Sequence, residues 1–309
     1  MKKWLEQFKI YIWRLVYGIY YRCCYKLTSS ERHKLQILDS VATLKYIIDN
    51  KCSISRYGDG EFQMITHLMN HGTVENFEID SFQNFDPILA NRLWEILKCP
   101  IPNHLVCIPY AFKDSSVQRG YQRIFFEREW LLRKKDIIDK LDVGRLWGDS
   151  CFTRFYYGRR DIKDYEAYVM LLKKIWNQRK LLIVEGEQSR LGIDNDLFDN
   201  TSEICRILCP VTNAFAKYEE ILSATKRVSK DYLVIIALGH TATVLSYDLS
   251  KCGYQAIDIG HVDIEYEWLR MKAKHKVVVP NKYVNEVDNG RVITSLEEPI
   301  YQSQIIERI

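Results

Sequence analysis

The residues with the most chemical potential in this chain are Arg56-Tyr57-Gly58-Asp59-Gly60-Glu61. Asp59 and Glu61 flank a residue with no side chain, so the backbone can turn sharply and aim both carboxylates into one pocket. Carboxylates crowded in this way need a cation. Mg²⁺ or Mn²⁺ would relieve their repulsion and keep coordination positions open for a diphosphate, which Arg56 and Gly58 are placed to contact. The chemistry suggested is nucleotide-sugar or phosphoryl transfer. The alternative is a glycine-rich turn with solvated acids.

Three further polar groupings stand out. Gly239-His240-Thr241-Ala242-Thr243 places a glycine at a strand exit and hydroxyls at a helix start, where free N–H groups and the helix dipole favour an anion. Thr241 serves equally well as an ordinary N-cap. Glu185-Gly186-Glu187 opens a polar loop that runs through Asn195 and Asp196, dense in groups able to hold sugar hydroxyls or a metal ligand. Glu185, at the strand terminus, is a candidate base, and Glu187 and Asn195 are candidate donor contacts. In Gly260-His261-Val262-Asp263-Ile264-Glu265-Tyr266-Glu267, an extended backbone would put His261, Asp263, Glu265 and Glu267 on one face. That face would offer a general base for an acceptor hydroxyl. If Asp263 instead caps a helix, the glutamates are first-turn acids with a structural role.

These groupings need elements to position them. Apolar runs at 52–55, 104–109, 180–185, 204–209, 232–238 and 254–259 predict strands, and amphipathic stretches between them predict helices. A helix is also expected after the capping box Thr28-Ser29-Ser30-Glu31, carried by Leu35, Leu38, Val41, Leu44 and Ile47. Strands alternating with helices give an α/β fold, a Rossmann-like, doubly wound and mostly parallel sheet. Ligands of such sheets bind beyond the carboxyl ends of the strands, and all four polar groupings follow strands. One cleft is predicted.

Together the motifs resemble the GT-D fold glycosyltransferases, a bacterial family acting on surface polysaccharides and glycoproteins. The similarity runs from about Ser53 to Glu286. It rests on Arg56 to Glu61, Ile183 to Glu187, Ser189 to Asn200, Leu238 to Thr243 and Asp258 to Trp268. The resemblance implies an α/β/α enzyme that uses a UDP-sugar, with glucose or a related hexose expected, and Mn²⁺ or Mg²⁺. It makes Asp59 and Glu61 the metal–diphosphate element. His240 departs from the pattern, which would have proline between the glycine and the threonine.

Composition fits this picture. With 309 residues, 47% hydrophobic and 27% charged, the chain can bury a sizeable core. Acids and bases are interspersed through most of the body, which argues against a nucleic-acid partner and for a small-molecule or glycan substrate. Nine cysteines, an odd number in mainly apolar surroundings, read as reduced cytosolic thiols. Residues 1–27 differ: Lys2, Lys3, Lys9, Arg14, Arg22 and Lys26 oppose only Glu6, while Trp4, Phe8, Tyr11, Ile12, Leu15 and Ile19 follow helical spacing. This basic, aromatic, amphipathic helix precedes a transferase domain at 28–309. It suits either contact with the inner face of the plasma membrane or packing on the protein's own body. Two rivals to the transferase are a metal-dependent phosphohydrolase or phosphotransferase and a non-catalytic nucleotide-sugar binding subunit. Acceptors to consider are a glycan, a lipid-linked glycan or a glycoprotein.

Overall fold

The computed structural model describes residues 16–74, 77, 82–291, 293 and 298–309. The basic aromatic stretch before residue 16 lies outside the described residues. Among them, nine strands form one sheet in the order β1-β4-β3-β2-β8-β7-β5-β6-β9. The strands are β1 (Gln36–Ile37), β2 (Ser53–Arg56), β3 (His104–Ile108), β4 (Leu146–Asp149), β5 (Lys180–Gly186), β6 (Glu203–Cys209), β7 (Leu233–Ala237), β8 (Ala256–Asp258) and β9 (Ile305–Arg308). Every neighbouring pair is parallel.

The central strands are apolar throughout because both faces are covered, and the period of two divides each of them between two cores. Leu182, Val184, Val234 and Ile236 enter one core, while Leu181, Ile183, Leu233 and Ile235 enter the other. On the first face pack α2 (Asp59–Met69), α3 (Pro87–Lys98), α4 (Gly120–Lys134), α6 (Tyr218–Lys226) and α7 (His240–Lys251). On the second pack α1 (Ser40–Asn50), α5 (Tyr165–Lys173) and α8 (Val262–Arg270).

Small hydroxyl residues bring α7 close to β2: Ser55 donates to the Thr243 carbonyl at 2.6 Å and pairs with Ser246 at 2.9 Å. The chain leaves β2 toward β3 on one side and returns as β8 on the other, so the strand order reverses between them and a crevice opens there. The four strands that carry the predicted polar turns, β2, β8, β7 and β5, are consecutive in the sheet.

Two expectations change. The helix anticipated from Thr28 onward is broken into a short turn at Ser29–Arg32, strand β1, and α1, whose Asp39 cap accepts from the Ala42 N–H at 2.8 Å. The segment expected to be extended after Gly260 is instead helix α8, with Ile264 and Trp268 buried on one side. Residues 16–27 are helical and pack on the body. Arg22 pairs with the buried Glu127 of α4 at 2.5 Å, and the Tyr25 hydroxyl donates to Ala111 and Phe112 carbonyls at 2.8 and 3.2 Å. No helix among the described residues is long and apolar enough to cross a membrane.

Candidate active site

The cleft at the carboxyl ends of β2, β8 and β7 has a volume of about 630 Å³. Its floor begins at Gly58, where β2 turns into α2. Glu61 reaches back to accept the Gly58 N–H at 2.8 Å, the capping interaction expected of a glutamate in the first helical turn. Asp59 stands at the first position of the helix and opens onto the cleft. Burial among protein atoms, then the Glu61 charge, push the Asp59 carboxyl above its ordinary value, while Arg154 and His240 pull it down. The two carboxylates therefore repel in a shared site, which fits a cation. Among the described residues no group of three or more His, Cys, Asp or Glu side chains is arranged to hold a metal. A cation at Asp59 and Glu61 would thus leave most of its coordination to phosphate oxygens and water.

Glycines create the space around this floor. At Gly60 a Cβ would lie 2.3 Å from His240 Nε2, so the first residue of α7 packs its ring over the α2 turn. The buried His240 Nδ1 has no hydrogen-bond partner. Gly260, at φ +49°, occupies a conformation that favours glycine, and a Cβ there would sit 1.8 Å from Arg56 Nη2.

Arg56 lines the cleft but is held by the protein. Its Nε donates to Asp258 at 3.2 Å, and its Nη1 donates to the Ser150 carbonyl and Thr153 hydroxyl at 3.1 and 2.6 Å. Burial raises Asp258 to about 6 despite Arg56. Thr243 serves the same pair, donating to the Arg56 carbonyl at 2.9 Å. It is buried, as is Thr241, and neither lines the cleft; of the predicted anion turn, Gly239 and His240 do.

The predicted acids separate. Glu185 is fully buried, with its oxygens on Arg206 Nη1 at 2.6 Å and the Leu191 N–H at 2.7 Å, and it does not line the cleft. This ion pair beneath the sheet rim corrects its expected catalytic role. Glu187 faces solvent and pairs with Arg308 at 2.8 Å, outside the cleft.

Helical geometry replaces the single face expected for residues 261–267. Asp263 and Glu267, one turn apart, are tied by Asn195 at 2.8 and 2.6 Å and by Lys282 at 2.6 and 3.4 Å. The Gly192 N–H completes the Asp263 shell at 3.0 Å. Asn195 is thus a brace and not a cleft residue, and Asp263 has its oxygens occupied. Glu265 points elsewhere: Oε2 accepts the Tyr156 and Tyr157 N–H groups at 2.9 Å each, and Oε1 lies 3.9 Å from Arg154. Burial raises its pKa, opposed first by Arg154. His261 lines the cleft as the N-cap of α8, and burial followed by Arg154 lowers it to about 3.

Sequence reasoning missed Arg154, Lys276 and Glu286. Arg154 follows the short strand β4 and its side chain keeps 32% of its surface exposed, in the same cleft as Asp59. Its Nη2 pairs with Glu286 at 2.5 Å, and Glu286 also meets Lys276 and lies 3.8 Å from His261 Nδ1. Helix α4 also lines the cleft, presenting Tyr121, Gln122 and Phe125. The available signal was faint: a single arginine in the apolar Cys151–Tyr157 run, and a glutamate at the far end of the family-like region.

A family model described as glycosyltransferase GT-D fold matches residues 54–287, from the strand before the carboxylate turn to the residue after Glu286. The chain belongs to the GT-D glycosyltransferase family. Glycosyltransferase GlyD of Streptococcus pneumoniae serotype 4 (strain ATCC BAA-334 / TIGR4) is 35% identical over 276 residues, 89% of this chain and 33% of that protein. A probable glycosyl transferase, Gly, of Streptococcus gordonii is 33% identical over 289 residues, 92% of this chain and 40% of its own length. The GT-D chain therefore spans a third to two fifths of these curated relatives.

A solved structure of the highly conserved domain of unknown function 1792, described as having a distinct glycosyltransferase fold, superposes with a TM-score of 0.83. It shares 37% identity and covers 92% of this chain and 99% of that one. A new glycosyltransferase of the same domain type from Streptococcus sanguinis gives a TM-score of 0.79 at 33% identity, with 89% and 99% covered. The parallel sheet with helices on both faces is the glycosyltransferase fold these structures share.

Proposed function

We propose that this GT-D chain transfers a sugar, glucose or a related hexose, from a UDP-sugar to a glycan, lipid-linked glycan or glycoprotein acceptor in bacterial surface polysaccharide synthesis. The observation that carries the reading is the repelling pair Asp59 and Glu61 at the strand-order reversal, lining one cleft with Arg154. Asp59 and Glu61 would hold Mn²⁺ or Mg²⁺, which when bound supplies charge stabilisation for a departing nucleoside diphosphate. Arg154 contributes fixed positive charge 3.9 Å from the acceptor base.

Glu265 is that base in this reading. Its Oε2 is oriented by two backbone N–H groups, and burial raises its proton affinity, whereas Asp263 is fully engaged. Contact with the inner membrane face from the cytoplasm belongs to the same proposal, supported by the exposed Val16, Ile19, Tyr20 and Leu27 that continue the basic N-terminal stretch.

The test is nucleotide release from a panel of UDP-sugars with and without Mn²⁺. Turnover should require the metal and fall about a hundredfold or more in Asp59→Ala with Glu61→Ala. Unchanged turnover in that double variant sinks the assignment. Co-sedimentation with anionic liposomes, compared with a chain lacking residues 1–27, checks the membrane contact.

A further inference from the structure

The cation nearest the carboxylate turn in sequence is not the one best placed to meet a phosphate. Arg56 has Nε and Nη1 engaged by protein acceptors, and Gly260 packs at Nη2. Arg154 and Lys276, far apart in the chain, instead converge on a single carboxylate in the cleft, Glu286. The Nδ1 of His261 is buried, lacks a hydrogen-bond partner, and faces the same carboxylate at 3.8 Å. We propose that Arg154, Lys276 and His261 form an anion subsite that the Glu286 carboxylate fills in the free protein and that a phosphate of the donor takes over on binding. The proposal rests on the nucleotide-sugar reading and adds to it an internal competitor for the donor.

Carboxylate and phosphate oxygens make the same demands on a guanidinium fork and an ammonium, so one can replace the other. Burial alone would raise the Glu286 carboxyl, but the surrounding charge, Arg154 foremost, outweighs it and holds the group well below the ordinary range, so it remains an anion. The subsite lies in the same cleft as the metal-type carboxylates, lined by Asp59 and Glu61 as well as Arg154, Lys276 and Glu286.

Exchange needs no large movement. Glu286 sits in a tight loop closed by the Val284 N–H on the Gly290 carbonyl at 2.8 Å, while the stretch before it is anchored separately. Trp268 donates to the Val277 carbonyl at 2.9 Å, the Tyr283 N–H to the Gln188 carbonyl at 3.0 Å, and Lys282 pairs with Asp263. Rotation of the Glu286 side chain frees Arg154, which keeps Glu265 at 3.9 Å as a residual partner. Were Glu286 only a brace for Arg154, its loss would weaken anion binding; as a competitor, its loss strengthens it.

Calorimetric titration of the full chain with UDP and, separately, with inorganic pyrophosphate distinguishes these. Glu286→Gln should bind both about tenfold more tightly, the factor by which a mostly occupied subsite reduces apparent affinity. Arg154→Ala should bind them at least about thirtyfold more weakly, and Lys276→Ala should weaken binding by a smaller factor. Melting temperatures accompany each titration; if Glu286→Gln melts early, Glu286→Asp, whose shorter side chain reaches Arg154 less well, supplies the same comparison. Equal or weaker binding by a folded Glu286 variant overturns the proposal. A wild-type chain that binds pyrophosphate with this pattern but not UDP upholds the subsite and overturns the nucleotide reading. Binding of neither overturns both.

Discussion

Arg56 and Arg154 bring the same charge to one cleft, and their partners give them different work. Arg56 is locked to Asp258 in a largely buried pair, so Arg56→Ala leaves an uncompensated carboxylate at a cost of about 3 kcal/mol, read as a lower melting temperature. Arg154→Lys keeps a positive charge beside Glu286 and should reduce turnover more than stability, because the guanidinium fork that lines the cleft is lost. Glu265→Gln should lower kcat by about a hundredfold or more while KM for the donor stays within a few-fold, as expected for loss of a base that touches only the acceptor. A matching rise in donor KM would remove Glu265 from that role.

His261 gives a pH signature. Its folded-state value of about 3 lies below the ordinary 6.5, so between these values the folded protein binds fewer protons than the unfolded chain. Its contribution to stability is whole above pH 6.5 and is lost as pH falls toward 3. Melting temperature against pH should therefore decline less steeply over this window in His261→Gln than in the wild type; equal slopes refute the assignment.

At the scale of elements, the decisive contact is α7 against the α2 turn. Gly60→Ala should displace His240 and destabilise the protein, and His240→Ala in the same chain should recover much of the loss. A double-mutant cycle by chemical denaturation measures the coupling; strict additivity would mean that the ring does not pack there. Helix α8 shows why the acids after Gly260 were hard to place. Acidic residues at every second position suit a strand, yet the same spacing puts Asp263 and Glu267 one helical turn apart and Glu265 on another side. Burial of Ile264 and Trp268 settles the helix, which local spacing alone leaves open.

Over the whole molecule, two segments far apart in the chain secure the site. The helix over 16–27 supports α4, which lines the cleft beside α2, and the 273–291 stretch delivers Lys276 and Glu286. Tyr25→Phe removes hydroxyl bonds to two carbonyls and to the Ser115 N–H, and should cost about 1–2 kcal/mol in denaturant titration.

The long apolar runs of β3, β5, β6 and β7 were legible because burial on both faces writes itself into consecutive residues. Strands β1, β4 and β9 lie at or beside the sheet edges, and Gln36, Gly148, Asp149, Glu307 and Arg308 cut their apolar runs short. By itself the sequence determined the alternating α/β order and the placement of Asp59 and Glu61 at a strand-to-helix turn, since both are local consequences of apolar runs and glycine. Only the tertiary structure decided which charges cancel. Glu185 is neutralised by Arg206, Asp263 by Lys282, and Arg154 by Glu286 inside the cleft, because pairing depends on distances between segments far apart in the chain, which no local pattern encodes.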